Sequence, residues 1–270
     1  MPKDIRGGHP TYWTIFGEGA RKVLLIHCSL AHTGAWNGVA AKLEQRLLMH
    51  AFDLPGHGRS DDWNGDRDMQ EMSVAMAAEV IGHDGPMDVI GHSFGATVAL
   101  RLAIEHPELV RSLVLIENVM VAAAVADDPS LAEGLESSEY AEAVRAGDKV
   151  NAARSFMREW GDGTPWNMMP KMQREFLADR IHLIAANAPT VHDDAPGFLQ
   201  DKRIEGVTVP ALLIRGEDST PMVEKIHAAI ERRLPNARSV AVAGAGHMLP
   251  ITHSDEVAAL IGAFLDEVPE

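Results

Sequence analysis

Cysteine, long apolar runs and positive charge are all scarce in this chain. Cysteine occurs once in 270 residues, at Cys28, so no internal disulfide can form and a reducing compartment suits the protein. No uninterrupted apolar run reaches the length of roughly 18 residues that a membrane-spanning helix needs. The first residues, MPKDIRGGHPTYW, contain no apolar signal core. The expectation is a cytoplasmic protein without a membrane anchor. Lys and Arg number 24 against 39 Asp and Glu, a formal charge of −15. That sign argues against nucleic acid or an anionic membrane as partner and leaves a small-molecule substrate. Nothing in the composition sets an oligomeric state.

What is present is an ordinary globular balance, 46% apolar and 23% charged residues. The length exceeds one α/β core and falls short of two full domains, which fits a core with an insertion. Strand-like apolar runs occur at Val23–His27, Leu47–Phe52, Met87–Ile90, Leu113–Ile116, Ala211–Ile214 and Ser239–Val242, with a weaker one at Tyr12–Phe16. Most lack polar alternation, as strands covered on both faces do. Helical patterns lie between them, at about Trp36–Arg46, Met69–His83, Ala96–His106, Met222–Arg233 and Ser254–Asp266. Strand alternating with helix implies a mostly parallel sheet flanked by helices. Residues 119–199 break the rhythm with helical segments only (Leu131–Ala146, Asp148–Trp160, Lys171–Asn187). They read as a helical cap over the carboxyl edge of a core built from residues 1–118 and 200–270, and that edge is where open α/β sheets bind ligands.

The chemistry centres on Gly91-His92-Ser93-Phe94-Gly95, a G-x-S-x-G placed between an apolar run and a long helical pattern. A serine on such a strand-to-helix turn has its Oγ lifted from the sheet beside free N–H groups of the helix. The competing reading is a glycine-rich turn with a buried capping serine. A serine hydroxyl needs a base, and the base needs an orienting acid. Asp218 follows the Ala211–Ile214 run and His247 follows the last run, so parallel strands would bring both to the same edge as Ser93. Asp218 is the expected acid, with helix capping as its alternative role. Glu117, just after Leu113–Ile116, is the alternative acid, because its loop also reaches that edge. An oxyanion hole needs two N–H donors, expected from Phe94 and from Ser29 in the loop after the first parallel strand, with Leu30 next.

At this point the chain resembles the capped α/β hydrolases, a family that includes esterases, lactonases such as enol-lactone hydrolases, C–C bond hydrolases and cofactor-free haloperoxidases. The matching residues are His27 with Trp36, Asp53-Leu-Pro-Gly-His-Gly-Arg-Ser60, the motif around Ser93, Gly216-Glu-Asp218 and Gly246-His247. They span residues 23 to 265 except the insertion. The resemblance implies the α/β-hydrolase fold, the triad and the oxyanion loop, and makes His57 structural; it implies no substrate. One departure is His27-Cys28, where such relatives carry His-Gly; cysteine keeps the backbone N–H, and a packing role suits its small apolar side chain.

Other residues invite weaker readings. His92 is expected to pack beneath the nucleophile. His182, His192, Asp193 and Asp194 lack metal-ligand spacing, and the glycine-rich stretches match neither a dinucleotide nor a P-loop fingerprint, so no metal and no cofactor is expected. In the insertion Trp160, Trp166 and Met168 belong to a Trp- and Met-rich cluster that either lines an apolar pocket or packs the cap onto the core. With Leu30 and Met248 they are the candidate substrate contacts. The function expected is hydrolysis of small to medium carboxylic esters or lactones through an acyl-enzyme. The alternatives are C–C bond cleavage with the same triad, with Arg154, Arg158 or Arg180 holding a substrate carboxylate, and non-catalytic ligand binding on a hydrolase fold.

Overall fold

The computed structural model describes residues 3–82 and 85–269. Each apolar run becomes a strand: β3 (Arg21–Ile26), β4 (Leu47–Phe52), β5 (Met87–His92), β6 (Val110–Ile116), β7 (Ala211–Gly216) and β8 (Ala237–Val242). They are preceded by β1 (Lys3–Arg6) and β2 (His9–Phe16). Among the described residues these strands form one sheet in the order β1-β2-β4-β3-β5-β6-β7-β8. β3 to β8 run parallel, whereas β1 pairs antiparallel with β2 and β2 with β4. β1 has the sequence KDIR and is mostly exposed, with Ile5 61% accessible, so no apolar pattern announces it.

The period of two along a strand sends alternate side chains to opposite faces, and both faces are covered. Leu24 and Ile26 of β3, and Leu113 and Leu115 of β6, enter one core; Val23, Leu25, Val114 and Ile116 enter the other. Helices α1 (Asn37–Leu43), α2 (Met69–Ile81) and α3 (Phe94–Glu105) follow the first strands. The predicted end of α2 at His83 lies outside the described residues.

Between β6 and β7 come α4 (Val121–Asp127), α5 (Leu131–Glu136), α6 (Glu139–Arg145), α7 (Lys149–Trp160), α8 (Lys171–Arg180), α9 (His182–Ala186) and α10 (Ala188–Val191), with no strand among the described residues. The predicted helix 131–146 divides because the Ser138 hydroxyl accepts the Ala141 amide at 3.2 Å and starts a new N-terminus. Packing separates two parts of this segment. Val121, Ala123, Leu183 and Val191 join the sheet core, while Ala152, Ala153, Leu177 and Ile181 build a small core of their own. The chain ends with α11 (Pro221–Glu231), α12 (Leu249–Thr252) and α13 (Ser254–Glu267). α2, α3, α4 and α11 cover one face of the sheet; α1 and α13 cover the other. No helix of the described residues is long and apolar enough to cross a membrane.

A buried ion cluster pins the amino ends of the central strands. Asp88 on β5 is inaccessible and accepts from Arg21 Nε and Nη2 at 2.6 and 2.9 Å, from Arg111 at 2.9 Å and from the Ser112 hydroxyl at 2.7 Å. Arg21 also donates to the carbonyls of Leu265 and Val268, tying the end of α13 to β3. Removing one partner of a buried pair leaves its counter-charge uncompensated. Asp88→Ala should therefore lower the unfolding free energy by about 3–5 kcal/mol, read from urea denaturation.

Candidate functional site

Ser93 sits between β5 and α3 with φ 55° and ψ −119°, a left-handed conformation that costs a non-glycine residue free energy. The surroundings over-determine it. Its amide donates to the Ile116 carbonyl of β6 at 2.8 Å, and its carbonyl accepts the Ala96 amide at 2.9 Å. A Cβ on Gly91 would lie 2.2 Å from the Gly95 carbonyl oxygen, and one on Gly95 would lie 2.3 Å from that of Ile26. Only glycine at both places lets strand, turn and helix approach so closely.

The loop after β8 brings His247 to this serine. Its Nε2 lies 2.9 Å from Ser93 Oγ, and its Nδ1 lies 2.8 Å from a carboxylate oxygen. That carboxylate belongs to Glu117, the residue directly after β6, and not to Asp218. Since the carboxylate can only accept, Nδ1 carries the proton and Nε2 is free to accept the serine's. Ser93, His247 and Glu117 are all buried.

Asp218, the expected acid, is thus not the carboxylate that meets His247, and the reason is local. β7 continues through Gly216, and the turn beyond it stays tied to the neighbouring loop, with the Asp218 amide donating to the Ala245 carbonyl at 2.9 Å. The Asp218 side chain is exposed and has no hydrogen bond to the described residues. The same turn supplies donors instead: the Gly216 amide and the Ser219 hydroxyl reach Glu117 Oε1 at 2.7 and 2.8 Å. Burial alone would raise the Glu117 pKa. The hydrogen bond and charge of His247, with the Gly216 and Ser219 bonds, outweigh it and hold the carboxyl below its ordinary range. Asn118 follows on the same loop, and its amide donates to Nε2 of the buried His227 at 3.1 Å. His227 escaped the sequence reading, although a histidine on the apolar face of α11, beside Val223, Ile226 and Ile230, was an available signal.

The loop after β3 forms the other side. His27 Nδ1 donates to the Cys28 carbonyl at 2.7 Å, and its Nε2 accepts the Leu54 amide at 3.0 Å. Asp53 accepts the amides of Thr33 and Arg59 at 2.7 and 2.8 Å, so the 53–60 stretch buttresses the loop that holds Ser29. Burial pushes the Cys28 thiol up to about 12, which keeps it protonated and inert. His92 donates from Nε2 to the His247 carbonyl at 2.8 Å and lies under that ring, 5.2 Å between centroids.

A cavity of about 840 Å³ opens over Ser93, bordered by Ser29 and Phe94 of the core and by Phe156, Trp160, Ile184 and Asn187 of the inserted helices. Trp160 meets the His247 ring edge-on at 4.8 Å. Among the other candidate substrate contacts, Leu30 and Trp166 pack in the inserted helices' own core, Met168 is 73% exposed, and Met248 is half-buried at the start of α12; none borders this cavity. The Trp and Met cluster thus serves mainly packing and surface. His192 is exposed and stands at the border of the cavity. Among the described residues no group of three or more His, Cys, Asp or Glu could hold a metal ion.

The family described as the alpha/beta hydrolase fold matches residues 22–254. A pimeloyl-[acyl-carrier protein] methyl ester esterase of Nitrosomonas europaea is 30% identical over 232 residues, covering 83% of this chain and 88% of that protein. One from Yersinia pseudotuberculosis is 24% identical over 264 residues, covering 95% and 97%. Among solved structures, the enol-lactonase from Burkholderia xenovorans LB400 superposes with a TM-score of 0.70 at 19% identity, covering 98% of this chain and 100% of that one.

Four histidines are held neutral around this site. Burial lowers His27 from 6.5 to about 4, His57 to about 3, His92 to about 3 and His227 to about 4. Each has a folded pKa below its unfolded value, so the unfolded chain binds more protons as the pH falls. Their contribution to stability is complete above pH 6.5 and is lost progressively down to about pH 3–4. Urea denaturation should show a loss of about 1–2 kcal/mol per histidine between pH 7 and pH 5, and His92→Gln should flatten that slope.

Proposed function

Because the chain belongs to the alpha/beta hydrolase fold family, we propose that it is a serine hydrolase of carboxylic esters or lactones, with Ser93 as nucleophile, His247 as base and Glu117 as acid. The observation that carries this reading is the pair of hydrogen bonds, 2.9 and 2.8 Å, that joins the serine to the carboxylate through one imidazole. His247 takes the proton as Ser93 Oγ attacks the substrate carbonyl, and Glu117 stabilises the resulting imidazolium. The amides of Phe94 and Ser29 hold the oxyanion of the tetrahedral intermediate. The intermediate collapses to an acyl-enzyme as His247 returns its proton to the leaving oxygen. Water, deprotonated by the same imidazole, then releases the acid.

Residues 119–199 act as a cap whose inner face shapes the acyl-binding space. The cavity is within the usual span for small-ligand sites and largely apolar, which suits medium-sized acyl groups. Ester cleavage by the relatives named above supports the bond type. C–C bond cleavage finds less support, since Arg154, Arg158 and Arg180 do not border the cavity. Arg158 pairs instead with Glu139, and Arg180 lies over the Phe176 ring.

Ser93→Ala should lower kcat on p-nitrophenyl esters by several orders of magnitude with the fold retained. Undiminished turnover by the purified variant would defeat the proposal. Glu117→Gln should reduce kcat by about 10³–10⁴-fold through loss of the correct tautomer, while Asp218→Asn stays within about twofold. The reverse ranking would return the acid to the β7 turn.

A further inference from the structure

Two residues on the cavity lining carry buried side-chain oxygens with no hydrogen-bond partner among the described residues: Tyr140, through Oη, and Asn187, through Oδ1. Buried polar atoms are ordinarily paired, and an unpaired one is destabilising until something pairs with it. The backbone of Asn187 is fully engaged. Its amide donates to the Ile184 carbonyl at 3.1 Å, and its carbonyl accepts from Thr190 and Val191 at 3.2 and 2.9 Å. The residue is only 5% accessible, yet its Oδ1 has no hydrogen-bond partner among the described residues.

Tyr140 stands at the end of an aromatic row that starts at the reaction centre. Trp160 lies 4.8 Å from His247, Phe156 lies 6.5 Å from Trp160, and Tyr140 lies 6.0 Å from Phe156. Burial pushes its phenol up to about 12, so the hydroxyl remains a neutral donor. Of the cations on the lining, Arg145 donates to the Glu136 carbonyl and Lys225 pairs with Asp128. A phenol and a carboxamide, both uncharged in an apolar wall, match a neutral group that donates and accepts. They do not match an ionised carboxylate.

We propose that Tyr140 and Asn187 form a polar subsite that selects substrates bearing a neutral hydroxyl or secondary amide away from the scissile carbonyl, in preference to plain alkyl chains of the same length. The inference rests on the ester-hydrolase reading for its substrate class. Its test separates the two.

Plain p-nitrophenyl alkanoates are compared with matched series carrying a hydroxyl or an amide along the acyl chain, and with alkyl esters carrying the same groups on the alcohol side. Wild type, Tyr140→Phe, Asn187→Leu and the double variant are assayed for kcat/KM. The same esters are titrated calorimetrically against Ser93→Ala, with and without the double substitution. At least one substituted ester should be preferred by about tenfold, in kcat/KM or in Kd, and the double variant should bring that ratio close to one. The Tm of the variants should hold or rise, because each substitution removes an unpaired buried polar group. No preference above about twofold in any series overturns the subsite, as does a preference that survives the double substitution, or a fall in Tm that marks both side chains as structural. Absence of Ser93-dependent hydrolysis would defeat the ester reading alone, since the calorimetric ratio reports the subsite without chemistry.

Discussion

The Glu117 carboxylate receives hydrogen bonds from groups at or beyond the ends of β7 and β8, the two strands that follow β6 in the sheet. Oε1 takes the Gly216 amide at the end of β7 and the Ser219 hydroxyl beyond it, and Oε2 takes the imidazole that follows β8. Its own amide donates to Ile214 of β7, and the carbonyl just before it, Ile116, accepts the amide of Ser93. A buried carboxylate is costly unless its lone pairs are filled. Here they are filled by the Gly216 amide, the Ser219 hydroxyl and the imidazole that also meets Ser93. The residue adopts φ 51°, a strained angle that these contacts over-determine. Gly216 completes the fit, because a Cβ there would lie 2.1 Å from the Ala245 carbonyl of the histidine loop.

Around this charge the protein places neutral imidazoles. His27, His57, His92 and His227 are each buried and each hold a backbone group, so they brace the loops after β3, β4, β6 and β8 without adding ionisable charge. His92 and Trp160 contact the His247 ring from different directions and leave it little freedom to turn. The Ser93 turn, the Glu117 carboxylate and the His247 imidazole are thus each held by hydrogen bonds and packing from neighbouring elements.

Much of the fold was legible because parallel strands buried on both faces read as apolar runs, as Leu113–Ile116 and Ala211–Ile214 do here. Ser93 and His247 were legible because each follows such a run in a glycine-rich context. β1 was not, since a short charged edge strand gains its stability from backbone pairing with β2 and shows no apolar period. The cavity-lining residues of the inserted helices were poorly legible too. Trp166 and Met168 share the composition of Trp160 and Phe156, and only packing decides that the first pair turns away from the cavity.

The sequence by itself determined the sheet, the placing of residues with nucleophile and base chemistry at its carboxyl edge, and the presence of candidate acids on two neighbouring loops. Only the tertiary structure shows which carboxylate, that of Glu117 or that of Asp218, meets His247. Both follow apolar strands and both can reach the edge, so residue type and spacing cannot rank them. The choice rests on which carboxylate finds enough donors to be buried: the β7 turn presents N–H and O–H groups inward and leaves Asp218 in solvent, while Glu117 receives them. Hydrogen-bond satisfaction at a junction of three strands is a property of the assembled fold.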